Sequence, residues 1–227
     1  MVTLASINWN QFSSYFAIKN FVEGSGLFIY PVILCSIVGL AIILERSFSL
    51  RRSKIIPKKL VKAIEELGWG ENPEHIEKLC QDQKSPLSRL VYLCLQNMSW
   101  SKYENSEALQ VKARAEIAQL EKGLVILEII VGIGPLLGLL GTLSGLITIF
   151  GNVGAHGMAT QGAAIAHGIS EALHTTFAGL GIAVPCLIAH SLFTRKVEAY
   201  AVEMETLCSE FLAKIYTEAP APEDVNY

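Results

Sequence analysis

The chain has 227 residues, 51% hydrophobic and 17% charged, with a formal net charge of -3 and a positive mean hydropathy. Those totals still allow one soluble globular domain, so the distribution of the apolar residues has to decide the class. The five cysteines, Cys35, Cys80, Cys94, Cys186 and Cys208, lack metal-ligand spacing; they exclude a cysteine-built metal centre and read as unpaired fillers.

In chain order, residues 1–23 form an N-terminal segment whose first basic side chain is Lys19, with no short apolar core after a charged start. That pattern predicts a retained anchor rather than a cleaved leader. Phe12, Tyr15, Phe16 and Phe21 are spaced to lie on one side of a short helix at the outer membrane interface. Residues 24–45 are the first predicted span. Its centre, Leu27 to Leu44, carries no formal charge and as a helix covers about 27 Å, close to a bilayer's hydrocarbon core.

Residues 46–122 read as a mostly helical domain. Pro57 starts a helix through about Leu67, the run Gly68-Trp69-Gly70-Glu71-Asn72-Pro73 breaks it, and a second helix occupies roughly Glu74 to Gln81. Pro86 allows a further start, with Leu87, Leu90, Val91 and Leu95 at helical spacing. Between Ser106 and Phe150 no proline precedes Pro135, which predicts one long helix running from this domain into a second span at 123–150.

A turn at 151–163 contains no Lys or Arg. The third span, 164–193, is interrupted only by His167, Glu171, His174 and His190. A helix at 194–218 follows without a breaker, and its Val197, Ala201, Met204, Leu207 and Cys208 are spaced to pack the two polar extensions together. The Ala-Pro tail at 219–227 reads as disordered.

Charge placement sets the topology. Arg46, Arg51, Arg52, Lys54, Lys58, Lys59 and Lys62 follow the first span, and Arg195 and Lys196 follow the third. Basic residues concentrate on the cytoplasmic side. The N-terminus and the 151–163 turn are therefore expected in the periplasm, and the domain at 46–122 and the C-terminus in the cytoplasm. A nucleic-acid reading of the basic cluster is set aside because the cluster sits directly after a span. The fold class is an all-α integral membrane protein with three transmembrane helices and long cytoplasmic helical extensions.

Within the spans, Gly134, Gly138, Gly141 and Gly145 recur at spacings that stack them in one narrow stripe. Gly168, Ala172, Thr176, Gly179, Ala183 and Cys186 repeat the device in the third span. Lipid tails are as apolar as leucine, so membrane helices associate by close contact, and small residues allow it. Thr142 lies about 70° from the first stripe on an ideal helix, while Thr176 lies within the second. Each hydroxyl faces a helix seam or satisfies itself on its own helix's carbonyls.

Glu171 shares a face with His167 and His174 and stands about 140° around the helix from Thr176. An ionisable residue inside a membrane is by default a functional-site hypothesis. It is open to three readings: a proton-responsive group, a hydrogen-bonding group between subunits, or a metal ligand with His167 and His174. Glu128 falls at the predicted cytoplasmic boundary.

The string from Gly134 to Thr142, then Gly168-Ile169-Ser170-Glu171-Ala172-Leu173, Thr176, Gly179-Leu180 and Ala183-Val184-Pro185, resembles the MotA/TolQ/ExbB proton-channel family. Three spans with the large loop after the first resemble the ExbB and TolQ branches more than MotA. The resemblance implies a pentameric ring in the bacterial inner membrane around a smaller ExbD- or TolR-like single-span partner whose membrane aspartate takes up and releases protons. It further implies a TonB- or TolA-like protein downstream, and an ion pathway at Thr142, Thr176 and Glu171. His174, where the family commonly has an aliphatic residue, stands as a modulator.

The spans contain no aspartate of their own, so a partner would complete the relay. Helix packing is assigned to Gly134, Gly138, Gly141, Gly145, Ala172, Gly179 and Ala183. No cofactor, resident metal or nucleic acid is expected. No phosphate-binding glycine loop followed by Lys and no nucleophile motif appears, so the chain does not read as an enzyme. A non-conducting scaffold and a metal transporter are the alternatives.

Overall fold

The computed structural model describes the backbone of residues 28–156 and 162–216, with the side chains of these residues apart from 152–156, 163, 164, 167 and 171. The aromatic N-terminal stretch and the 219–227 tail lie outside the described residues. Among those described, every regular element is a helix: α1 (Ile29–Ser49), α2 (Arg52–Ile55), α3 (Lys58–Glu66), α4 (Glu74–Asp82), α5 (Pro86–Gln96), α6 (Lys102–Glu121), α7 (Leu124–His156) and α8 (Gly162–Tyr216). Helices α1, α7 and α8 are long and apolar enough to cross a membrane. At 55 residues, α8 extends about 82 Å, more than twice a hydrocarbon core, so it must continue well beyond one.

The chain divides into two compact units, drawn from 1–41 with 126–188 and from 42–125 with 189–227. The first unit, apolar, consists of helical segments whose outward side chains are large hydrophobes, among them Leu34, Ile37, Leu40, Leu136, Leu143, Ile147, Phe177 and Val184. Contiguous exposed apolar surface of this kind marks a lipid or protein interface. Inside the unit, α1 seats at Gly39, where an added β-carbon would meet the Cys186 Sγ at 2.8 Å and Ile130 at 3.5 Å. Helices α7 and α8 stay continuous through Pro135 and Pro185.

The second unit has a core of Leu60, Ile64, Ile76, Leu87, Leu90, Cys94, Met204, Cys208 and Phe211. Helices α5 and α6 start where a side chain satisfies a first-turn amide. Ser85 accepts from the Ser88 amide at 3.1 Å ahead of Pro86, and Ser101 and Glu104 form a reciprocal capping box. After α3, Gly70 adopts φ 70°, which favours glycine, and its amide donates to the Lys214 carbonyl at 3.1 Å. The Lys214 ammonium in turn donates to the free carbonyls of Ile64 at 2.8 Å and Glu65 at 2.9 Å. The end of α3 and the loop after it are thus fastened to α8 from both sides. Val197, Met204, Leu207 and Cys208 are buried, while Ala201 lines a cavity of about 220 Å³ together with Leu90, Leu109, Ile117, Met204 and Cys208.

The single helix expected from Ser106 to Phe150 is instead two, parted at Lys122–Gly123. The cause is Arg46, far away in sequence. Its guanidinium donates to the Leu120 carbonyl at 3.2 Å and fills the space that a β-carbon on Gly123 would need. A side chain inserted into the carbonyl ladder is a recognised origin of helix breaks. At the other end α7 runs to His156, past the expected end at Phe150, and α8 begins at Gly162.

Candidate functional site

Helices α7 and α8 run antiparallel, and their small residues meet in register. The carbonyl oxygen of Gly134 lies where a β-carbon on Gly179 would come within 2.5 Å of it, and Ala183 stands 3.6 Å from the same position on Gly134. One turn on, Gly138 faces the backbone of Thr175 and Thr176. Gly141 then faces the Thr175 side chain, and Gly145 faces the Ala172 methyl, 2.9 Å from an added β-carbon. Contacts to backbone cannot yield as a flexible side chain would, so glycine at these positions is what permits the pairing.

Three threonines sit at this seam. Thr142 is 9% exposed and its hydroxyl donates to the Leu139 carbonyl at 2.7 Å, the local satisfaction open to a helical threonine. Thr176 is half-buried, yet its hydroxyl oxygen is fully buried with no hydrogen-bond partner among the described residues. Thr175 is 0% exposed and its hydroxyl is likewise without a partner. Most buried polar atoms have a partner, so two adjacent hydroxyls without one require an explanation.

The spacing predicts a small-residue stripe of α8 through Thr176 and gives no signal for Thr175, whereas the buried positions are Ala172, Thr175, Gly179, Ala183 and Cys186. Both threonines fit three- and four-residue spacing. The register against α7 makes Thr175 the residue that packs on Gly141, while Thr176 presents its backbone to Gly138.

The site residues are not joined into one hydrogen-bonded cluster among the described residues, since Thr142 bonds its own helix. Gly168 packs on Ile149 instead of on a glycine. His174 is on an exposed face of α8 beside Leu173. The side chains of Glu171 and His167 lie outside the described residues. Glu128 is exposed on α7.

In the second unit one buried carboxylate stands out. Glu116 is 2% exposed and is held by Arg89, whose Nε donates at 2.9 Å and whose Nη2 completes the pair, with Lys112 at 3.4 Å. Burial pushes its pKa up, but the hydrogen bonds and charges of Arg89 and Lys112 outweigh burial and hold the carboxyl below the usual range. Burial drives the thiols the other way. Cys80 and Cys94 are each pushed up to about 12, and Cys208 is pushed higher still. These ion pairs and buried thiols brace the helices of this unit.

Residues 82–206 match the MotA/TolQ/ExbB proton channel family. The chain is 29% identical to the biopolymer transport protein exbB1 of Vibrio cholerae, over 79% of this chain and 80% of that protein. It is 31% identical to the putative biopolymer transport protein ExbB-like 1 of Synechocystis, over 85% of this chain and 79% of the relative. The Tol-Pal system protein TolQ of Pseudomonas aeruginosa is 31% identical over 52% of this chain and 51% of its own length.

Proposed function

The chain belongs to the MotA/TolQ/ExbB proton channel family, and from that premise we propose that it is the ring-forming subunit of an inner-membrane motor. In this reading five copies surround the membrane helices of an ExbD- or TolR-like protein, and proton entry drives work on a TonB- or TolA-like protein at the outer membrane. The N-terminus is periplasmic and the second unit and C-terminus are cytoplasmic. Thr142 and Thr176 line or orient the path, Glu171 contributes its carboxyl, and His174 modulates the response to pH. The observation that carries the reading is the glycine-lined α7–α8 seam with buried hydroxyls that have no partner among the described residues.

Energetics agree with the division of labour. One charge crossing about 100 mV releases about 2.3 kcal/mol, enough to bias a conformational step. The spans of this chain hold hydroxyls but no aspartate, so the titrating carboxylate is assigned to the partner. A non-conducting scaffold would account for the glycine seam and for Thr142, whose hydroxyl is already satisfied. It gives no use to the hydroxyls of Thr175 and Thr176.

The test is isolation of the tagged chain from its native membrane, with native mass measurement. The expected result is five copies with a small single-span protein bearing a membrane aspartate. A chain that purifies alone as a monomer from every mild detergent would remove the motor reading.

A further inference from the structure

We propose that Thr175 is a further residue of the ion path, its hydroxyl offering a hydrogen-bonding position at the α7–α8 seam beside that of Thr176. This rests on the channel reading above. Three observations carry it. Thr175 is 0% exposed, its hydroxyl has no partner among the described residues, and the adjacent Thr176 hydroxyl is buried in the same condition.

A hydroxyl offers one donor and two acceptor positions, and those of Thr175 are untaken among the described residues. Packing alone does not ask for threonine here. Valine has the same shape as threonine and would present the same bulk to Gly141 without burying a hydroxyl. A residue that keeps an unsatisfied polar atom where an isostere would pack as well is the kind of local inconsistency expected at functional positions.

The experiment is proton flux through the chain reconstituted with its single-span partner in phosphatidylcholine vesicles, driven by an imposed pH gradient and read by an entrapped pH dye. Thr175→Val keeps the bulk and removes the hydroxyl; Thr175→Ser keeps the hydroxyl and removes the methyl. The expected result is a loss of about ten-fold or more for Thr175→Val, as for losing one buried hydrogen bond, with Thr175→Ser near wild type. Wild-type flux in Thr175→Val overturns the inference, and does so alone if Thr176→Val still loses flux.

If Thr175→Val fails to assemble, Thr175→Ser and Thr175→Ala decide, because both remove the methyl and only Ala also removes the hydroxyl. Flux in Ser and not in Ala supports the assignment, and equal flux in the two overturns it. A wild-type complex that moves no protons overturns the channel reading together with this inference.

Discussion

A β-carbon on Gly138 would stand 2.9 Å from the Cα of Thr176, so α7 and α8 touch there backbone to backbone, one turn from the carbonyl contact between Gly134 and Gly179. The helices carrying the proposed path are thus spaced by glycines and not by interlocking large side chains. Small changes at those positions are expected to propagate to the hydroxyls.

Gly138→Ala and Gly179→Ala are each expected to destabilise the protein by about 1–3 kcal/mol, because backbone atoms must move apart to admit the methyl. Among the described residues nothing lies within 4 Å of a β-carbon added to Gly132 or Gly181 on the same helices. Alanine there is expected to be neutral or to stabilise by about 0.5–1 kcal/mol. Thermal unfolding of the detergent-solubilised variants checks the contrast.

Glu116→Gln is expected to cost about 1–2 kcal/mol at neutral pH, at the low end for a buried pair because the Arg89 side chain is 40% exposed and partly screened by solvent. The folded carboxyl titrates below its unfolded value. Its stabilisation is therefore complete above the unfolded pKa of about 4.3 and is lost as pH falls through the folded pKa. Acid unfolding curves should show the substitution shrinking that acid limb. Parallel curves for wild type and variant would contradict the assignment.

Lys214→Met removes the donor that closes the end of α3 while keeping the buried stem. Two carbonyls and the Glu210 carboxylate, at 2.8 Å, lose their partner, and a destabilisation of about 2 kcal/mol is expected. Hydrogen exchange should rise at Gly70 and the residues around it before it rises elsewhere in the second unit.

Cys80, Cys94 and Cys208 are buried as neutral thiols, so at about pH 8 a maleimide reagent should leave them unlabelled in the folded protein and label them after denaturation. Labelling followed by mass spectrometry of peptides gives the answer. Rapid modification of Cys94 in the native protein would mean that the packing around Cys94 is looser than described.

What was legible in the sequence was local. Pro57 and Pro86 mark helix starts, the run from Gly68 to Pro73 marks a stop, and the apolar runs mark the helices long enough to span. What was not legible depends on residues distant in the chain. The break at Lys122–Gly123 needs Arg46, and the burial of Glu116 on an otherwise polar helix needs Arg89. The choice between Thr175 and Thr176 needs the register of α7 against α8, since both positions fit the same spacing. The glycine stripes were visible as a pattern, but which glycine meets which residue was not.

The central claim is that hydroxyls in α7 and α8 serve an ion path completed by a partner's aspartate. The direct measurement is proton flux at an imposed membrane potential, in vesicles holding the chain and its single-span partner, for wild type, Thr142→Val and Thr176→Val. The account predicts flux in the wild-type complex and its loss in both variants, with assembly unchanged by native mass. Wild-type flux persisting in both variants would contradict it.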